Sequence, residues 1–156
     1  MTKLNPNREK HYPNLKTNSA YEVKSSETAK YNCIAWALGY DDKWWQPVPI
    51  PFLVTYWPSA NRNETRANYF SVIQQEGFAQ CTDGTPEPGY EKIAIYVDNR
   101  GVPKHAAKQL QTDKWSSKLG SWEDIEHSTP EALECAWYGK VTYYFKRKLR
   151  NRSQVT

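Results

Sequence analysis

The chain reads as a single α+β domain. Three observations lead there. At 156 residues it has room for one hydrophobic core and not for two ordinary ones. Up to Gly77 the apolar residues twice recur at helical spacing and close on a glycine. Beyond Tyr90 they fall instead into short β-prone runs separated by turn residues.

Taken in order, residues 1–20 are polar and carry two prolines, which predicts an extended arm with no role for His11. The domain proper is placed at 21–145. In "SSETAKYNCIAWALGY", Ile34, Ala37 and Leu38 form a stripe at i, i+3 and i+4, and Gly39 is the stop signal. The helix starts either at Ser25 or Ser26, or at Asn32 as cap, which puts Cys33 at its first position. "DDKWWQPVPIPFLVTYWP" is too rich in proline for regular structure and is read as a long aromatic loop. Asn61 and Glu64 stand at capping-box spacing before Tyr69, Val72 and Ile73, so a second helix runs to Gly77. "KIAIYVD", "HAAKQL" and "KWSSKL", divided by "NRG" and "QTD", predict an antiparallel meander over residues 92–119. "STPEALECAWYG" predicts a third helix capped by Ser128 or Thr129, with Pro130 at its first position, and "KVTYYFKRKL" alternates as an edge strand.

Composition limits the function. Seven Trp and eleven Tyr mean that large flat side chains fill much of the core, and the surplus beside proline suits a groove for a peptide or sugar chain. The net charge is +4, yet Lys146, Arg147, Lys148, Arg150 and Arg152 supply five positive charges, leaving the remainder near −1. Basic character therefore belongs to a tail at 146–156, far in sequence from the aromatics, and nucleic-acid binding is not expected. Cys33, Cys81 and Cys135 form no CxxC and have no close His, so neither a disulfide framework nor a metal site is indicated, and no cofactor is expected. No stretch has the length and apolarity of a membrane helix, and "MTKLNPNREKHYPNL" lacks the apolar run of a signal peptide. A reduced, cytoplasmic protein is expected.

The chemistry centres on Cys33. A thiol attacks a carbonyl as thiolate, and both a helix N-terminus and a neighbouring histidine favour that form. His105 opens a strand directly after a turn, where an imidazole can face a helix end. A third polar group holds such an imidazole in the useful tautomer. If residues 111–113 form a three-residue turn, Ala107 opposes Ser117, and His105, Ser117 and Leu119 share one face. A two-residue turn presents Ser116 and Lys118 instead. Glu123, Asp124 and His127 in "SWEDIEH" are further alternatives.

The order of a helix-start cysteine, a small meander with histidine at the head of a strand, and a polar residue on the next strand resembles the papain-like thiol hydrolases. The likeness is to their compact bacterial branches, the NlpC-type peptidases and the cysteine, histidine-dependent amidohydrolases. "YNCIAWA", "KIAIYVD", "HAAKQL", "WSSKLG" and "DIEH" are also similar to an uncharacterised group of small bacterial proteins. The resemblance implies a papain-like α+β fold, an N-terminal cysteine-bearing helix packed on a small antiparallel sheet. It also implies Cys33 as nucleophile, His105 as general base and Ser117 as orienting residue. Asn32 and Trp36 flank the cysteine, and Trp44, Trp45 and Trp57 are candidates for lining a groove for a peptide or protein substrate. Two departures stand out: Trp36 lies one turn beyond the cysteine, and Lys92 precedes "IAIYV" where NlpC-type branches place their histidine. The expected activity is cleavage or deamidation of an amide through a thioester. The alternative is a non-catalytic interaction module that holds a protein partner with its aromatic, proline-rich loop.

Overall fold

Ile93, Ala94, Ile95, Tyr96 and Val97 are apolar at five consecutive positions, so a strand built from them must be covered on both faces. The computed structural model, which describes residues 2–18 and 20–149, shows how that is met. The first elements in chain order are α1 (Pro6–Glu9), α2 (Pro13–Asn18), β1 (Tyr21–Val23), α3 (Cys33–Leu38), β2 (Trp44–Trp45), β3 (Thr55–Tyr56) and α4 (Arg66–Gln75). Then come β4 (Ala79–Cys81), β5 (Tyr90–Val97), β6 (Pro103–Gln109), β7 (Trp115–Lys118), β8 (Asp124–His127), a 3₁₀ turn at Pro130–Leu133, and β9 (Lys140–Lys148). Seven strands form one antiparallel sheet in the order β1-β8-β7-β6-β5-β9-β4, and β2 and β3 form a separate parallel pair.

Alternate residues of β5 lead into two cores. Ile93, Ile95 and Val97 pack with Ala106 and Phe145 against Ile34, Ala35 and Leu38 of α3 and Tyr69, Val72 and Ile73 of α4. Ala94 and Tyr96 pack with Ala107, Trp115 and Ile125 against Leu4, Tyr12 and Leu15 of the N-terminal segment and Leu133 of the 3₁₀ turn. Fully burying one such side chain contributes on the order of 2 kcal/mol, so neither cover is optional.

Several expectations are corrected. A papain-like arrangement does not form: the cysteine-bearing helix has six residues and is the third helical segment, and the sheet it joins is large and seven-stranded. The N-terminal segment is not extended. It folds into α1 and α2 because Tyr12 and Leu15 must cover the second face. β9 is no edge strand, since it pairs with β5 on one side and β4 on the other. Lys146, Arg147 and Lys148 accordingly lie in β9 rather than in a tail, and Arg147 donates to Glu91, to the Leu38 carbonyl and to the Glu76 carbonyl. Arg150 and Arg152 lie outside the described residues. The second helix starts at Arg66 with Thr65 as cap, not at the Asn61–Glu64 box. Among the described residues no helix is long and apolar enough to cross a membrane.

The predicted third helix is reduced to the 3₁₀ turn. Glu134 is extended, and Cys135 bridges Gly139 to bring the chain tightly past the end of β5. Gly139 has φ +76°, and a Cβ there would stand 1.8 Å from the Val97 carbonyl oxygen. Gly139→Ala is therefore expected to destabilise the fold by about 3 kcal/mol or more, combining left-handed strain with a backbone clash. Urea unfolding of the two proteins measures this, and a difference under 1 kcal/mol would refute it.

Candidate active site

The site starts from Asn32. Its Oδ1 accepts from the Ala35 N–H (3.3 Å), capping α3, and from the Trp45 N–H (3.0 Å), while its Nδ2 donates to the Trp45 carbonyl (2.7 Å). One side chain thus fixes both the helix start and the aromatic loop beside it. Gly39 closes the helix at φ +100°, a left-handed turn that glycine adopts without strain. Cys33 is the first helical residue, half-buried, and faces a cleft of about 160 Å³. Asn32, Trp44, Trp45, Tyr69, Pro103 and Gly120 are among its walls, as is Tyr138.

Burial pushes the Cys33 thiol up, opposed by backbone hydrogen bonds at Ala106, Ile34 and Cys33 itself and by the charge of Lys118. The Ala106 amide is free for this role because the β6–β7 ladder is paired only at Lys108–Ser116 and Gln109–Trp115. Beyond those pairs the backbones are linked by side chains instead.

The register is that of the three-residue turn: Leu110 N–H donates to the Lys114 carbonyl (2.7 Å). His105 and Ser117 are thereby on one face and 3.1 Å apart at Nε2 and Oγ, both fully buried. Ser117 Oγ lies 2.9 Å from His127 Nε2, and His127 Nδ1 lies 2.8 Å from the Thr129 carbonyl. A carbonyl only accepts, so His127 carries its proton on Nδ1. Its Nε2 must then accept from Ser117, which in turn accepts from His105 Nε2–H. The chain of bonds leaves His105 Nδ1 as a bare acceptor, and it is buried with no partner. No hydrogen bond joins it to the Cys33 sulfur.

Among the described residues only two buried side-chain polar atoms lack a partner, His105 Nδ1 and Trp45 Nε1. Native interiors leave few such groups, and each calls for an explanation. Both belong to the surroundings of this cleft: Trp45 lines it, and His105 precedes the residue whose amide reaches the sulfur.

The other sequence candidates separate. Trp44 lines the cleft and donates to Gln46 Oε1 (3.0 Å). Trp57 is core, edge-on to Tyr69 and donating to Asn68, and Trp36 donates to Ser116 Oγ (2.8 Å) with Lys108 over its ring, so neither lines the cleft. Asp124 accepts from Ser25 and Tyr31, and Glu123 pairs with Arg8. Lys92, buried on β5, is held by Asp83 and Glu87 and lies outside the cleft. Among the described residues no group of three or more His, Cys, Asp or Glu is arranged to hold a metal.

Tyr138 was not among the sequence candidates. It stacks on His105 (4.0 Å, 6° between planes) and forms a wall of the cleft. The segment "CAWYG" carries helix signals, which concealed it. Tyr138 and Gly120 also belong to a neighbouring depression of about 370 Å³ with Trp122 and Trp137, so the cleft continues onto an aromatic shelf.

The two buried histidines couple stability to pH. Burial holds His127 at about 4, and burial with the nearby His127 holds His105 well below the ordinary histidine value. Both are neutral in the folded protein, whereas the unfolded chain protonates them near pH 6.5. Stability is thus full above pH 6.5 and falls as pH drops from there toward about 4. His127 alone accounts for about 3 kcal/mol over that window. Urea unfolding at pH 7.5, 6 and 5 is expected to show this loss, with less of it in His127→Gln.

The chain matches one known family. The family described as "Domain of unknown function (DUF7689)" matches residues 22–146. Neither the curated proteins nor the solved structures contain a match to the chain. With most of its length matched, the chain belongs to the DUF7689 family.

Proposed function

We propose that this protein is a cysteine-dependent hydrolase that cleaves or deamidates an amide through a thioester. The observation that carries the reading is the bare, buried Nδ1 of His105, whose tautomer is set by Ser117, His127 and Thr129. A general base needs a free lone pair in a fixed tautomer, and catalytic hydrogen bonds commonly tighten only when substrate binds. The order of Cys33 and His105 in the chain, similar to that of thiol hydrolases, supports the same assignment.

The steps follow from these groups. Cys33 Sγ attacks the amide carbonyl carbon while its proton passes through the unpaired gap between β6 and β7 to His105 Nδ1 on the other face of the sheet. The tetrahedral oxygen is stabilised by backbone N–H groups at the α3 N-terminus, with Trp45 Nε1 a free donor on the same cleft. The C–N bond breaks, the amine leaves with the proton from Nδ1, and a thioester remains. Water then attacks the thioester, His105 takes its proton, and the acid departs as the thiol reforms. A cleft of about 160 Å³ corresponds to roughly five waters, enough for one amide-bearing side chain or a short peptide segment. The substrate class proposed is a peptide or protein amide. Three unpaired thiols suit a reducing compartment, and the cytoplasm is the proposed setting.

One observation favours a second reading. Of the six exposed large apolar side chains among the described residues, Tyr40, Val48, Phe52, Val54 and Tyr56 crowd residues 40–56, with Phe52 and Val54 wholly exposed. A patch of this kind marks an interaction surface. In that reading the loop holds a protein partner and Cys33 is dispensable.

Iodoacetamide alkylation of Cys33 against pH, in the native protein and in His105→Ala, tests the base. Wild type is expected to alkylate in the folded state, and His105→Ala to slow this at least tenfold near neutral pH. Alkylation only after unfolding would refute the hydrolase. Cys33→Ala should abolish turnover of any amide substrate found. If Cys33→Ala instead retains partner binding that Phe52→Ser with Val54→Ser destroys, the interaction reading prevails.

A further inference from the structure

We infer that Lys118 is a positioning residue that supplies the positive charge for the Cys33 thiolate, an inference that rests on the thiol-hydrolase reading of this cleft. On β7, Ser117 points to His105, so its neighbours Ser116 and Lys118 point to the opposite face, where α3 packs and Ser116 takes the Trp36 N–H. Lys118 is fully buried there. Its ammonium donates to the carbonyls of Thr28 (2.7 Å) and Gly120 (2.5 Å) and lies 4.9 Å from the centre of the Tyr31 ring. Thr28 and Tyr31 belong to the segment that leads into Cys33, and Gly120 is a wall of the Cys33 cleft.

Among the described residues no carboxylate approaches this ammonium within 4.0 Å. A buried cation without an ion-pair partner is costly, which makes the charges facing it the point to examine. The charges facing it are Cys33 at the start of α3, Asp124 and Glu123 at β8 and the turn before it, and Glu27 on the entry segment. Asp124 is already engaged by Ser25 and Tyr31, and Glu123 by Arg8. Glu27 is held by Arg8 as well. Asp124, however, has only neutral hydroxyl partners and stands opposite Lys118 in the β7–β8 ladder, so Asp124 and Cys33 are the two groups whose negative charge this ammonium faces unshared. Burial lowers Lys118 to about 8, and Cys33 is the first of the charges acting against that fall. Lys118 in turn favours the thiolate.

The roles then divide by face. His105, behind Tyr138, moves the proton, and Lys118, beneath the helix start, holds the charge that its departure leaves.

The test is a reciprocal pair of titrations that needs no substrate. The alkylation midpoint of Cys33 against pH is measured in wild type, Lys118→Met and Lys118→Arg. The Lys118 titration is followed by NMR of its 13Cε in wild type and in Cys33→Ala. Lys118→Met is expected to raise the midpoint by about one unit, a tenfold slower alkylation near neutral pH. Lys118→Arg should stay within a few tenths of wild type. Cys33→Ala should lower the Lys118 midpoint, because coupling between two sites is mutual. A midpoint unchanged in Lys118→Met, or moved equally in Lys118→Arg, would overturn the proposal. Where Lys118→Met does not fold, an unchanged Lys118 titration in Cys33→Ala overturns it alone. Failure of the hydrolase reading is seen elsewhere, in turnover and in His105→Ala, so the two outcomes stay distinct.

Discussion

A strand that is apolar at five successive positions cannot face water on either side, and β5 imposes that demand on everything around it. The two cores are the response. On one side α3 and α4 supply short aliphatic stripes. On the other, the N-terminal segment and the 3₁₀ turn supply Leu4, Tyr12, Leu15 and Leu133, which is why a polar, proline-bearing opening to the chain folds at all. The helices are too short to be stable alone, so their existence is a consequence of the sheet they cover.

The Cys33 cleft lies where that two-sided sheet stops being continuous. Backbone pairing between β6 and β7 extends over only two residue pairs, and past them the strands are tied by Ser117 and two imidazoles. That release lets the start of α3 seat its cysteine against the Ala106 amide. It also gives the site two chemically different walls. Neutral, stacked aromatics and histidines stand on one face of the sheet, and a buried ammonium on the other. The same low dielectric that pushes the thiol and the imidazoles toward their neutral forms strengthens any charge that does form between them.

Aromatic residues divide between framework and surface. Trp57 and Tyr69 are packed edge-on in the core, and Trp45 is wedged between Tyr40 and Tyr56 while its backbone is held by Asn32. Phe52 and Val54 in the same loop project into solvent, as does Trp137 on the shelf beyond Tyr138. Trp44 links the cleft to a depression lined by Leu53, Val54 and Tyr56, and Tyr138 and Gly120 link it to the one with Trp137.

Local chemistry made part of this legible in the sequence. Asn32 and Gly39 mark the ends of α3 because capping and left-handed turns depend on single residues. Turn length sets hairpin register, so "QTD" reduced the parity to two choices, and the structure takes the three-residue one that joins Ser117 to His105. "SWEDIEH" held His127 among the alternatives, and it proved to close the relay. What pairs across long distances was not legible: β9 between β5 and β4, the helical arm, and Tyr138 stacked on His105 across 33 residues. Nor was the side of the sheet on which α3 would pack, which decides that Lys118 rather than His105 lies on the helix's own face. Residue spacing gives alternation within a strand, but only the packed layers choose which alternate set meets which partner, and that choice is set by buried area summed over the whole domain.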